Sequence, residues 1–314
     1  QILLLSVVFS FRNEEENIPE LVSRVSKAIL GIEGMNYEII FVNDSSTDRS
    51  FEILADLQNK YPITIINMSR KFGVMPCVLA GLKHSRGDIV VYMDSDLQDP
   101  PELIPELVKR HKNGAEVVHT TRTHREGESA FKMWLTSKAY RVINYFSSIE
   151  LPVNTGEFKL LSRRAVDQIL QLDEYDPYMR GLSVWIGFKQ DYVFYSREKR
   201  HSGVTHFPIF GKGPVVEFIR GLTAYSATPL YISFFIGLIA SFVSVMIILF
   251  ALITKLIGIS APGASSTLIT VAFFGGLILM SNGVLGIYIS KIYYESKGRP
   301  RYIIESILKP DDHK

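Results

Sequence analysis

Val90-Val91-Tyr92-Met93-Asp94-Ser95-Asp96-Leu97-Gln98-Asp99-Pro100-Pro101 is the stretch whose reading decides the fold. An apolar run ends in three carboxylates and an amide, and the two prolines stop any sheet ladder and can open a helix. The pattern predicts a strand tip that carries a site. Asp94 and Asp96, two apart at a strand end, project onto one edge, and hard oxygen ligands of this kind suit Mg²⁺ or Mn²⁺ rather than Zn²⁺. An ion held by so few carboxylates keeps open positions for phosphate oxygens, so the expected cargo is a metal-bound diphosphate. The competing reading is a solvated turn whose aspartates cap the next helix, and the surrounding sequence has to decide.

Outward from this stretch, strands and helices alternate. Ile2 to Phe11 reads as a buried first strand: it is apolar but short, has no basic leader, and runs into Arg12-Asn13-Glu14-Glu15-Glu16. Ile18, Leu21, Val22, Val25 and Ile29 have the spacing of a helix face. Tyr37 to Val42 and Ile63 to Met68 read as strands, with helices predicted over Arg49 to Lys60, Gly73 to His84 and Glu102 to Asn113. The fold class is therefore α/β, a mostly parallel sheet of Rossmann-like type, and such sheets bind ligands beyond the carboxyl ends of their strands. Three polar clusters fall at those ends, Ser10 to Glu15, Asn43 to Asp48 and Asp94 to Asp99, and together they describe one crevice.

Charge is balanced overall but unevenly placed. The 314 residues carry 34 Lys plus Arg against 32 Asp plus Glu, which gives no basic bias towards nucleic acid. No charged residue lies between Arg220 and Lys255, or between Lys255 and Lys291. A soluble domain followed by a membrane domain is the expected organisation: 1–210, an amphipathic interfacial helix over 211–228, two spans within 229–292 (about 230–254 and 267–290), and a cytoplasmic tail over 293–314. A helix packed on the soluble domain is the alternative for 211–228. Lys212 and Arg220 before the hairpin and Lys291, Lys297, Arg299 and Arg301 after it outnumber Lys255 at the turn, which places both ends in the cytoplasm. One cysteine, Cys77, excludes an internal disulfide framework. Gly275-Gly276, Gly283 and Gly286 lie at a spacing that permits close helix contact.

Val7 to Glu14 with Asn17-Ile18, Val42 to Ser50 and Asp94 to Pro101 resemble the nucleotide-sugar domain of family 2 glycosyltransferases, which have the GT-A fold. Ser69-Arg70-Lys71-Phe72-Gly73, Ala80-Gly81-Leu82, Asn154-Thr155-Gly156-Glu157-Phe158-Lys159-Leu160 and Arg180-Gly181-Leu182, with the paired apolar segments, resemble its polyprenyl-phosphate branch, the dolichyl-phosphate mannose synthase and bacterial GtrB group. The resemblance implies that Ser10, Asn13 and Glu14 contact the nucleotide, that Asp44 lies beside the base or ribose, and that Asp94, Asp96 and Gln98 form the metal and diphosphate group around Mg²⁺ or Mn²⁺. It implies catalytic roles for Asp96, Glu157 and Arg200, and an acceptor-phosphate site from Arg122, Arg125, Lys199 and His201. Thr121 to Ser129, after a strand over Glu116 to Thr120, resembles the mobile acceptor loop. The implied partners are a nucleotide-diphosphate sugar, polyprenyl phosphate, the lipid bilayer and further copies of the chain as a homo-oligomer. The implied reaction is inverting hexose transfer, best fitted by glucose from UDP-glucose. A GDP-mannose-dependent enzyme and a catalytically silent lipid-phosphate binder or assembly subunit are the alternatives.

The sequence departs from the family pattern in four places. Ser10 and Arg12 replace a usual proline and tyrosine, Asn43 replaces the first of two aspartates, and Glu157 stands where Asp is common. A lipid phosphate with a second pKa near 6 is already a nucleophilic dianion at neutral pH, so a strong general base at position 157 is unnecessary.

Overall fold

A computed structural model describes residues 2–125, 130–152, 155–197, 212–258 and 263–310. Two compact units are present, residues 1–221 together with 300–314, and residues 222–299.

The first unit is built on an eight-stranded sheet. Strand β1 (Leu3–Phe11) is followed by α1 (Ile18–Leu30), β2 (Met35–Asn43), α2 (Ser50–Leu57), β3 (Ile63–Met68), α3 (Val74–His84) and β4 (Ile89–Asp94). A 3₁₀ turn at Pro101–Leu103 leads into α4 (Ile104–Lys112), then β5 (Val117–Arg125), α5 (Ala130–Phe146), β6 (Thr155–Ser162), α6 (Arg163–Gln171), α7 (Met179–Trp185), β7 (Gln190–Arg197) and α8 (Lys212–Ala224). The last strand, β8 (Ile304–Leu308), comes from the far end of the chain. Strand order is β7-β5-β6-β4-β1-β2-β3-β8. Strands β1, β2, β3 and β4 run parallel, as do β5 and β7, whereas β6 opposes β4 and β5, and β8 opposes β3.

Strand β1 reads as one apolar run because both faces are covered. Leu5, Val7, Phe9 and Phe11 join Leu21, Val22, Val25, Ile104 and Leu107 in one core, and Phe9 stacks on Phe41 at 4.9 Å. The intervening Val8 meets α3, where Gly81 lies so close that a Cβ would stand 2.2 Å from Val8 Cγ1. The prolines after the acidic stretch do open a helix, and Arg24 of α1 clamps that turn through two 2.8 Å bonds to Glu102.

Three expectations are corrected. Strand β5 does not end at Thr120 but keeps a parallel partner in β7 as far as Arg125, so residues 121–125 are sheet rather than a mobile loop. Residues 126–129 lie outside the described residues. The segment expected as a tail contains β8, which pairs with β3 and carries Gln58 Nε2 on the Leu308 carbonyl, 3.2 Å away. Helix α8 meets the soluble unit, since Arg220 pairs with Asp176 at 2.9 Å and Gly221 lies against Ile143 and Tyr178, which favours the packed alternative there.

The second unit consists mainly of α9 (Thr228–Leu256) and α10 (Ala264–Ser296). Both are long and apolar enough to cross a membrane. They enclose the expected spans and touch through a 2.6 Å hydrogen bond between the Ser233 and Ser281 hydroxyls.

Candidate active site

The parallel strands bring the three polar clusters to one edge. Ser10 of β1 is in register with Asp94 of β4, and Phe11 with Asn43 of β2. Each cluster then turns through one non-glycine residue with positive φ, Asn13 at 56°, Ser45 at 58° and Leu97 at 57°. Such conformations are sparsely populated and persist where surroundings over-determine them. The surroundings here are the loops themselves. The Asn13 amide donates to Ser46 Oγ (3.1 Å), Asn13 Oδ1 accepts from the Thr47 amide (2.8 Å), and the Glu14 amide donates to Ser50 Oγ (2.9 Å).

Exposure alternates along the acidic stretch. Asp94, Asp96 and Gln98 are half-buried, whereas Ser95, Leu97 and Asp99 are buried. The residues expected to hold the metal and diphosphate are therefore the partly exposed ones. Ser95 Oγ donates to the Ser10 carbonyl (3.2 Å), and Asp96 Oδ1 accepts from the Gln98 amide (3.2 Å). Burial, aided by Asp99, Asp96 and Glu157 and opposed by Arg122, pushes the Asp94 carboxyl up to about 7. Burial is the main cause, and the neighbouring carboxylates add to it. Among the described residues no group of three or more His, Cys, Asp or Glu side chains is placed to hold a metal. Asp94, Asp96 and Gln98 present oxygen atoms only, on alternate, half-buried positions.

Arg122 and Asp99 form a buried pair. Arg122 Nη2 lies 3.3 Å from Asp99, Arg122 Nε donates to Tyr195 Oη at 3.0 Å, and Tyr195 hydrogen-bonds Asp99 in turn. The Arg122 side chain is 10% exposed and that of Asp99 is 0%. Burial works against the guanidinium charge, but Asp99 and Tyr195 outweigh it and raise the pKa. Arg122, expected at the acceptor phosphate, is held here by Asp99 and Tyr195. Gly156 permits this arrangement, because a Cβ there would lie 2.7 Å from Arg122 Nη2.

Antiparallel register pairs Tyr92 with Lys159, so two residues further on Glu157 comes beside Asp94. Glu157 Oε1 accepts from Arg180 Nε at 2.8 Å, and Arg180 Nη1 donates to Tyr140 Oη at 2.8 Å. Burial raises the Glu157 pKa, yet Arg180 and then Lys159 more than reverse it and hold the carboxylate ionised. Its second oxygen, Oε2, is buried without a hydrogen-bond partner among the described residues. Lys159 is fully buried with Nζ 3.3 Å from Ser183 Oγ, and burial pulls its pKa down to about 8 against the opposing pull of Glu157.

Asp44, expected beside the base or ribose, is tied to the loop before α3. Its carboxylate accepts from the amides of Phe72 (2.6 Å) and Gly73 (3.0 Å), fixing the loop that starts α3. Gly73 has φ 98°, which favours glycine. Lys199, Arg200 and His201, together with Asn154 and the side chain of Arg125, lie outside the described residues.

The pattern of glycosyl transferase family 2 matches residues 6–170, which span all three loops and the strand bearing Glu157. The chain belongs to glycosyl transferase family 2. This family 2 glycosyltransferase has the GT-A fold, a mostly parallel α/β sheet, with two C-terminal apolar helices appended. It is 38% identical to the uncharacterized glycosyltransferase YkcC of Bacillus subtilis (strain 168) over 96% of this chain and 93% of that protein. It is 34% identical to the bactoprenol glucosyl transferase of Shigella phage SfV over 96% of this chain and 98% of that protein. Among solved structures, glucosyl-3-phosphoglycerate synthase from Mycobacterium tuberculosis, crystallised with Mn²⁺, UDP-glucose and phosphoglyceric acid, matches 71% of this chain and 78% of its own at 21% identity and a TM-score of 0.47.

Sequence reasoning on the glycosyltransferase assigned no role to Asp99, Tyr195, Arg180 or Lys159. Asp99 and Arg180 fall inside motifs singled out in the sequence, but their partners lie 23 residues or more away. Lys159 falls inside such a motif too, with its partner Ser183 24 residues away, whereas Tyr195 reads as an ordinary strand residue that only its partners distinguish.

Proposed function

We propose that the chain transfers a hexose, glucose from UDP-glucose being the best-fitting donor, to a polyprenyl phosphate at the cytoplasmic face of a membrane. The observation that carries the reading is similarity along nearly the whole chain, apolar helices included, to proteins named bactoprenol glucosyl transferase. The acidic crevice supports it. A phosphate oxygen of the acceptor attacks the anomeric carbon, the bond from that carbon to the diphosphate breaks on the opposite side, and the nucleoside diphosphate leaves with inversion.

Asp94, Asp96 and Gln98 would hold Mg²⁺ or Mn²⁺. The fit rests on an all-oxygen donor set, with the carboxylates of Asp94, Asp96 and Asp99 close enough to act on one another. Such an ion supplies positive charge to the departing diphosphate. Ser10, Asn13 and Glu14 line the nucleotide side, and Asp44 acts on it through the Phe72-Gly73 loop. Glu157, ionised and paired with Arg180, orients the donor sugar through Oε2, which has no hydrogen-bond partner among the described residues, rather than taking a proton. Arg200, Lys199, His201 and Arg125 are assigned to the acceptor phosphate, with Arg122 joining them when it exchanges Asp99 for that phosphate. Arginine suits this role because its planar fork makes paired, charge-assisted bonds. The ends of the hairpin join one soluble unit, which supports both being cytoplasmic. The paired glycines of α10 support a homo-oligomer.

The test is transfer to undecaprenyl phosphate in liposomes with labelled UDP and GDP sugars, with Mg²⁺, Mn²⁺ or chelator. A solvent-extractable sugar lipid from one donor, requiring metal and lost in Asp96→Ala, is expected. No product from any donor while nucleotide still binds would overturn the reading.

A further inference from the structure

After α10 the chain returns to the soluble unit. Arg301 Nη2 donates to the Leu172 carbonyl and to Asp173 Oδ1, each at 2.6 Å, and the Ser69 amide donates to the Ile303 carbonyl at 3.0 Å. Strand β8 then runs antiparallel to β3 with Ser306 opposite Asn67, and the register shifts between Asn67 and Met68. Such an irregularity re-aims a side chain. Asn67 Nδ2 donates to Ser306 Oγ at 3.0 Å, and Asn67 Oδ1 accepts from Asn43 Nδ2 at 3.0 Å. Asn43 Oδ1 accepts from the Ser46 amide at 2.9 Å, and the next amide, that of Thr47, is held by Asn13. A continuous line of hydrogen bonds therefore leads from the last strand across β3 and β2 into two of the three crevice loops. Asn43 and Asn67 are 7% and 9% exposed, so water replaces a lost partner poorly at either.

We propose that β8 is a positioning element of the donor crevice, in which Ser306, acting through Asn67 and Asn43, holds the loop from Asn43 to Asp48 in its ligand-binding geometry. The inference rests on the crevice being the nucleotide-sugar site. Ser306 touches no ligand. Its hydroxyl fixes which way the Asn67 amide points, Asn67 fixes Asn43, and Asn43 holds the amide beside Ser45, where the backbone is at φ 58°. The segment that follows the membrane helices thereby sets donor affinity at the opposite end of the sequence.

The experiment uses the full chain in liposomes and reads donor KM, acceptor KM, kcat and the hydrogen-exchange rate of the Ser46 amide. Ser306→Ala is expected to raise donor KM by about three- to tenfold, the scale of one lost hydrogen bond. Acceptor KM and kcat should stay within about twofold, and Ser46 exchange should quicken. Ser306→Thr, which keeps the hydroxyl, should restore both. Asn67→Ala should behave like Ser306→Ala, and adding Ser306→Ala to it should change nothing further. Unchanged donor KM and exchange in Ser306→Ala, or additive effects in the double variant, would overturn the proposal. If the unaltered chain transfers from no donor, the functional reading fails while the exchange rates still decide whether the relay exists.

Discussion

Asp99 shows how much of the site depends on a fully buried carboxylate. It neutralises Arg122 in a place with almost no water, so its removal leaves a buried guanidinium and the Tyr195 hydroxyl without their acceptor. Asp99→Ala should lower stability by about 3 kcal/mol, the cost of breaking one side of a buried pair, measurable by denaturation in detergent. His119 offers a test by pH. It is fully buried, stacks on Tyr192 and bonds Gln190 at 2.9 Å, and burial, with Lys159 nearby, drops its pKa to about 3 from 6.5. The unfolded chain binds this proton first, so stability is complete above pH 6.5 and falls as pH drops towards 3. The loss amounts to about 4 kcal/mol across that window. His119→Asn should flatten that part of the acid limb of a stability curve, whatever it does at neutral pH.

At the scale of elements, the seating of α3 on the sheet turns on the absence of one side chain. Gly81→Ala drives a methyl into Val8, and overpacking of this kind costs about 2 kcal/mol, which a thermal melt would register. Val8→Ala should recover part of the loss in the double variant, since the two positions are in contact. The first four strands and their helices were legible in the sequence because each buries a face whose period shows directly, from Leu5 to Phe11 and from Ile18 to Ile29. The alternation of Asp94, Asp96 and Gln98 was legible for the same reason. The outer part of β5 was not: Thr121 to Arg125 reads as polar loop, and only Asp99, Tyr195 and the β7 backbone make it strand. Strand β8 was hidden too. Ile304-Glu305-Ser306-Ile307-Leu308 is short, follows a long apolar helix, and finds its partner in a strand near the other end of the chain.

For the whole molecule, the proposed topology predicts a labelling pattern. Cys77 is buried, so added cysteines report alone. A membrane-impermeant maleimide should reach Ile257→Cys in intact cells and Lys309→Cys only after the cells are opened; the reverse pattern would reject cytoplasmic termini. The pairing of β3 with β8 has a consequence for how the protein is made. Asn67 and Ser306 are 239 residues apart. At a synthesis rate of roughly 5–20 residues per second, the outer edge of β3 waits roughly 12–48 s for its neighbour. Throughout that interval it presents unpaired backbone groups, the kind of edge on which chains aggregate. Both apolar helices are synthesised before the partner strand exists. The eight-stranded sheet is therefore finished only after both apolar helices have been made.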